Sequence, residues 1–400
     1  KAIRRQRQMC IRDRQHPLQE KFWKWHWKNW QNKGEAMEIK LDLSKEYAIA
    51  LEGGGAKGAY EIGVWQAFEE VGVKYCAVSG SSVGALNGAL MAMRDLDKAV
   101  HLWENLTFSQ IIDVDDTQMK AFFDKEMRWN EWPSFLLDMA KVIKNRGFDA
   151  EPLRNLLEEV VDEEKIRQSD VKFYLVTYSL TDKKELDLEA AMLPKGTLHD
   201  MLLASAYFPA FKQEPLSGKF YADGSIKNVV PLNSLVERGY KNIIVIRIFG
   251  VGYEKKVKIP EDVNVTVVAP RGKLGGILQF DGEQTKKDMM LGYFDGMRLI
   301  YGLAGEKYYI DRHWSEEKAY AMLRAMLQWE NANGKQLLNL REINEEILPK
   351  MAKRLHVKGG YYELCLRMLE EKAEGLGITP FVIRTEEELL REIAQMKKEK

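Results

Sequence analysis

Four hundred residues with 45% hydrophobic content are enough to bury a large core. Lys+Arg and Asp+Glu balance at 60 each, so no overall charge draws the chain to nucleic acid. Cys10, Cys76 and Cys365 are too few and too scattered for a disulfide framework or a zinc site, and no clustered His/Asp/Glu set suggests another metal.

The balance hides an asymmetry. Residues 1–36 hold ten Lys/Arg against three Asp/Glu. Read as a helix, Trp23, Trp27 and Trp30 fall within roughly a 60° arc, with Lys21, Lys24 and Lys28 opposite, the pattern of an interfacial membrane anchor. The alternatives are a helix packed on the body of the protein or a flexible basic tail. Its stretch Gln8–Arg14 also resembles translated adapter sequence, which would place the natural start nearer Met37. No apolar run reaches the length of a spanning helix, and no apolar stretch follows the basic residues as in a secretory signal. The expected location is the cytoplasm, with peripheral membrane contact if the tryptophans act as an anchor.

From Glu46 the pattern becomes that of a folded α/β domain. Tyr47–Leu51 and Tyr75–Ser79 are short apolar runs, read as buried strands, and Ala59–Val71 between them has helical spacing. Val83–Met93 is a helix of small residues. Residues 95–106, 117–145 and 152–168 are also read as helices, with a Gly147 break after the second. Val171–Leu180 and Leu186–Leu188 are strands, Leu198–Tyr207 a helix closed by Pro209, and Phe220–Ala222, Asn242–Phe249 and Val263–Ala269 further strands. Such alternation predicts a mostly parallel central sheet with helices on both faces. Beyond about residue 283 the periodicity is helical: 283–302, 315–332, 337–355, 361–373 and 385–398. Ser315 is a candidate N-cap, and Thr385-x-x-Glu388 a capping box. The expected division is a tail over 1–36, a main domain over 46–312 and a helical region over 313–400.

Gly80-Ser81-Ser82-Val83-Gly84 has the form G-x-S-x-G, with a strand running in and a helix running out. Such a turn projects one side chain from the carboxyl edge of a sheet, which makes Ser82 a candidate nucleophile. The bland reading is a tight helix start capped by a serine. Upstream, Gly53-Gly54-Gly55-Ala56-Lys57-Gly58 also joins strand to helix, and consecutive glycines present N–H groups suited to an oxyanion. Gly53-x-Gly55-x-x-Gly58 is equally a dinucleotide fingerprint, but the next strand ends Ala77-Val78-Ser79-Gly80, without the acid that would bind ribose. A nucleophilic serine needs a base. None of the histidines, His16, His26, His101, His199, His313 and His356, has a distinctive setting. The clearest candidate is Asp223, delivered by a short strand into an Asp-Gly turn, which is also a common turn residue.

Together, Gly53–Gly58, the Gly80–Gly84 elbow, Ala204–Pro209 and Asp223-Gly224 resemble the patatin-like phospholipase family of the bacterial type, from about Glu46 to Pro270. The resemblance implies a three-layer α/β/α fold and a Ser82–Asp223 dyad without histidine. It also implies an oxyanion held around Gly54, Gly55 and Ala56, no cofactor, and lipid or phospholipid acyl esters as substrates. Lys57 stands where the family has Arg or Lys, and Ser225 where it usually has Gly or Ala. A dyad also asks that burial raise the Asp223 pKa, with Tyr207, Phe208, Phe211 and Tyr221 as candidate walls. Three rivals remain: a Ser82-Asp223-His313 triad esterase, a nucleotide-binding oxidoreductase using Gly53–Gly58, and a catalytically silent scaffold or lipid-binding protein that keeps the fold.

Overall fold

In a computed structural model, residues 37–112, 147–332 and 338–399 are described. The tryptophan segment and the expected helix over 117–145 lie outside them. The described chain forms two compact units, Leu41–Ile300 and a second that begins at Tyr301 and takes in Met37–Lys40.

The first unit is built on a seven-stranded sheet. Strands β1 (Glu46–Leu51) and β2 (Lys74–Ser81) are joined by helix α1 (Ala59–Val71), and α2 (Val83–Ala92) leaves β2 directly. Helix α3 (Leu96–Asn105) follows, started by the Asp95 carboxylate, which accepts the Lys98 N–H. Next come α4 (Glu151–Val160), β3 (Lys172–Ser179), β4 (Lys184–Glu189), α5 (Leu198–Ser205) and the two-residue β5 (Tyr221–Ala222). Helix α6 (Leu232–Glu237), β6 (Asn242–Ile246), β7 (Asn264–Val268) and α7 (Gly282–Tyr301) complete the run. The strand order is β4-β3-β2-β1-β6-β7, with β5 on β3. Pairs β1–β2, β2–β3, β1–β6 and β6–β7 are parallel, and β3–β4 and β3–β5 antiparallel. Ile49, Ala50 and Leu51 are fully buried, as expected of a parallel strand covered on both faces.

Strand order reverses at β1, which has β2 on one side and β6 on the other. In open parallel sheets such a switch point leaves a crevice at the carboxyl edge. Register brings the ends level: Leu51 lies opposite both Gly80 and Ile246.

A buried polar hub fixes the first three helices. The Asn87 side-chain amide on α2 donates to the Gly58 carbonyl at 3.0 Å and to the Glu61 carboxylate at 2.8 Å. Its oxygen accepts from Trp103 Nε1 on α3 at 2.9 Å. Glu61 is buried, and burial holds its carboxyl well above the usual range. The hub ties the glycine loop, the elbow helix and α3 together.

The second unit is mainly helical, with α8 (Glu316–Ala332), α9 (Leu348–Arg354), α10 (Tyr361–Leu376) and α11 (Glu386–Glu399) around a core that includes Trp314, Leu323, Leu369 and Leu389. Lys318 N–H meets Ser315 Oγ at 3.3 Å, and Thr385 and Glu388 exchange both capping-box bonds. A parallel pair not expected from the sequence, β8 (Tyr309–Asp311) with β9 (Ile383–Thr385), joins segments more than seventy residues apart. Three residues each are too short to show a period.

Boundaries differ where capping decides them. The helix expected over 152–168 breaks at Val161-Asp162, where the Asp162 carboxylate caps a new turn through the Lys165 N–H. The strand expected to reach Phe249 stops at Ile246, because the N–H groups of Ile248, Phe249 and Gly250 turn to a carboxylate on the neighbouring strand end. The helix expected over 337–355 passes through a π turn at Ile343–Ile347 before Pro349, which has no N–H to extend a regular ladder.

Removing the hub should be visible in stability. Asn87→Ala takes away three hydrogen bonds and strands the partners of two, so urea unfolding should show a loss of about 2–4 kcal/mol at nearly unchanged slope.

Candidate active site

The sequence around Ser82 forces a sharp turn. Ser82 sits at φ 54°, ψ −125°, a costly conformation for a residue with a side chain. The glycines make it sterically feasible: a Cβ on Gly80 would lie 2.1 Å from the Gly84 carbonyl oxygen. The turn is held from outside, since Ser82 N–H donates to Ser205 Oγ at 3.0 Å and that hydroxyl donates to the Val176 carbonyl at 2.7 Å. Ser82 itself is half-buried, and Val83 opens α2, whose N-terminus favours nearby negative charge.

Asp223 reaches the same place by register. Ala222 pairs with Tyr178 antiparallel, while Val176 pairs with Ser81, so the residue after Ala222 arrives beside the end of β2. Its N–H donates to the Tyr207 carbonyl at 3.1 Å, and the Gly224 N–H to the Ser205 carbonyl at 3.0 Å. Ser82 Oγ donates to Asp223 Oδ2 at 2.6 Å, and the Ser225 N–H donates to Asp223 Oδ1 at 2.8 Å. Asp223 is buried, 9% exposed. Burial raises its pKa, and the hydrogen bonds from Ser82 and Ser225 offset only part of the rise. Of the four aromatics expected around it, Tyr207 serves through its backbone carbonyl, and its ring packs edge-on against Phe211 at 5.6 Å.

The glycine loop lies alongside. A Cβ on Gly53 would lie 3.3 Å from Ser82 Cβ and 2.3 Å from Ser225 Oγ. Of the six residues expected to form an oxyanion site, two have N–H groups already committed: Gly53 to the Val229 carbonyl at 2.9 Å and Ala56 to the Ile277 carbonyl at 2.7 Å. The N–H groups of Gly54 and Gly55 have no partner among the described residues. Gly55 adopts φ +59°, and a Cβ there would lie 2.2 Å from the Ile277 oxygen, so the chain's own loop covers that face. Asp288, pushed up to about 6 by burial, holds this loop by accepting the Gly275 N–H at 3.1 Å. Lys57 turns away: its Nζ donates to the Phe249 carbonyl at 2.8 Å, and burial lowers its pKa. Gly58 accepts from Asn87 through its carbonyl.

Two residues outside the expected set support this geometry. Ser205 has been described. Glu52, 1% exposed, accepts N–H bonds from Ile248, Phe249 and Gly250 at 2.7–3.1 Å and pairs with Arg247 Nε at 2.9 Å. It pins the chain leaving β6 beside the glycine loop. A signal was present, since a charged residue ends an otherwise apolar strand, but its partners lie almost two hundred residues away. Neither histidine of this unit bonds to Ser82 or Asp223: His101 is exposed, and His199 Nε2 lies 2.9 Å from the Val161 carbonyl. His313 belongs to the second unit, where its ring pairs with Asp311 at 3.0 Å. Among the described residues, no group of three or more His, Cys, Asp or Glu could hold a metal, and no helix is long and apolar enough to cross a membrane.

Residues 49–236 match the family model described as patatin-like phospholipase. An uncharacterized NTE family protein of Mycobacterium tuberculosis is 26% identical over 198 residues, 49% of this chain and 47% of that one. The neuropathy target esterase sws of Drosophila melanogaster is 26% identical over 198 residues, 50% of this chain and 12% of that one. The chain thus spans about half the length of its mycobacterial relatives. The crystal structure of VipD from Legionella pneumophila is similar over 87% of this chain and 91% of that one, at 14% identity and a TM-score of 0.42. The domain that contains the elbow, the glycine loop and Asp223, residues 49–236, is thus a patatin-like phospholipase domain.

Proposed function

We propose that the unit Leu41–Ile300 is a lipid acyl hydrolase, of phospholipase A or lysophospholipase type, that cleaves carboxylic esters with a Ser82–Asp223 dyad. The observation that carries this reading is the 2.6 Å bond from Ser82 Oγ to a buried carboxylate, beside the Gly54 and Gly55 N–H groups, which have no partner among the described residues. The family match adds the lipid ester as substrate class.

The chemistry follows from the geometry. Asp223 Oδ2 takes the Ser82 proton as Oγ adds to the ester carbonyl carbon. The carbonyl oxygen gains the negative charge, which the Gly54 and Gly55 N–H groups and the start of α2 stabilise. The intermediate collapses, the C–O bond to the alcohol breaks, and Asp223 returns the proton to the leaving oxygen. Water then gives a proton to Asp223 and attacks the acyl-enzyme, and Ser82 leaves with that proton restored. An ordinary aspartate titrates near about 3.9 and is a weak base at neutral pH. Burial makes Asp223 a better one. The pair needs no histidine, and the dinucleotide reading gains nothing, since the Ile277 carbonyl occupies the face of Gly55.

A fluorophosphonate probe should label wild type and fail on Ser82→Ala. Absence of label on wild type would refute the serine mechanism. Hydrolysis of a short-chain ester should fall by about three orders of magnitude or more in Ser82→Ala and Asp223→Asn. His313→Ala should stay within about twofold of wild type, and its collapse would instead favour a triad. Asp223 must be ionised to act as base, so kcat/KM should fall as pH drops through a single ionisation above the ordinary carboxylate value. A rate still undiminished near pH 4 would argue against it.

A further inference from the structure

The chain from Phe249 to Tyr253 crosses the mouth of the site on a fixed backbone. A Cβ on Gly250 would lie 1.7 Å from the Gly53 carbonyl oxygen. Tyr253 N–H donates to the Ser225 carbonyl at 2.8 Å, and its own carbonyl accepts from Val229 N–H at 2.8 Å. Glu52 holds the N–H groups of Phe249 and Gly250. The backbone here is thus tied to the residues that flank Ser82 and Asp223.

The side chains nevertheless face water. Phe249 is 56% exposed, Val251 67%, Tyr253 58%, and Ile226, three residues past Asp223, 43%. Four large apolar side chains on anchored backbone at one rim form the kind of patch that marks an interaction surface. The charges beside them have a sign. Glu254 is neutralised by Arg247 at 2.8 Å, and Lys255 lies 3.4 Å from Glu185. Lys256 and Lys258 are exposed and have no ion pair among the described residues. Apolar groups flanked by free ammonium groups complement acyl chains beneath anionic headgroups.

We propose that Ile226, Phe249, Val251 and Tyr253, with Lys256 and Lys258, form a bilayer-docking rim that seats the mouth of the site on a membrane carrying anionic lipid. This rests on the lipid-ester reading above. The rim is formed by segments close to Ser82 and Asp223 and is independent of the tryptophans near residue 30. Docking there would let an acyl ester pass from the bilayer to Ser82 without crossing water.

The test is co-sedimentation of the full chain with phosphatidylcholine vesicles, with and without one quarter phosphatidylglycerol. Thermal melting and hydrolysis of p-nitrophenyl butyrate serve as controls. Wild type should favour the anionic vesicles. Val251→Ser with Tyr253→Ser, and separately Lys256→Glu with Lys258→Glu, should each reduce partitioning on the order of tenfold. Both variants should melt like wild type and keep their rate on the soluble ester. Failure of wild type to sediment, or wild-type sedimentation by both variants, would overturn the rim. If no form hydrolyses the soluble ester, the hydrolase reading fails while sedimentation still decides the surface.

Discussion

Much of the site depends on the turn at Ser82. A non-glycine residue at φ +54° costs on the order of 1–3 kcal/mol and persists only where its surroundings over-determine it. Here they do. Strand β2 is clamped between two parallel neighbours, and α2 is locked to the glycine loop by Asn87. Gly80 and Gly84 approach too closely for any side chain between them, and Ser205 captures the Ser82 N–H. The hydroxyl is then left pointing toward a carboxylate.

Three buried acids near the carboxyl edge show how environment separates residues of the same chemistry. Glu52 is met by a guanidinium and three N–H groups and serves to hold the backbone. Glu61 accepts from the Asn87 amide, and burial holds its carboxyl well above the usual range. The hydrogen bonds to Asp223 come from the Ser82 and Ser225 side chains and the Ser225 N–H, and no cation pairs with it among the described residues. A carboxylate so placed is ionisable yet more basic than in water, the state a histidine-free dyad requires.

The glycine loop answers a related constraint. Six consecutive residues carry candidate N–H donors, but a sheet edge uses most of its backbone for its own bonding. Val229 and Ile277 take two of them, and the N–H groups of Gly54 and Gly55 have no partner among the described residues. Loop and elbow are therefore complementary. One leaves donors open, the other presents a hydroxyl, and the level ends of β1 and β2 set their separation.

The local elements could be read from the sequence because local chemistry determines them. Periodicity and glycine spacing located β1, α1, β2 and α2, and the elbow that presents Ser82, since each is decided by neighbours a few residues apart. Sequence also singled out Asp223 as an acid in a turn. Only tertiary structure could bring it to Ser82, because antiparallel β5 and parallel β2 share β3, and register across β3 closes a gap of 141 residues. The same reason hid the roles of Glu52 and Ser205, whose bonds span 195 and 123 residues, and the β8–β9 pair. The sequence by itself thus singled out a candidate nucleophile, a candidate base and the turns that carry them. The tertiary structure decided which of those groups meet and which backbone donors stay free, because both depend on strand order and burial, which no local pattern encodes.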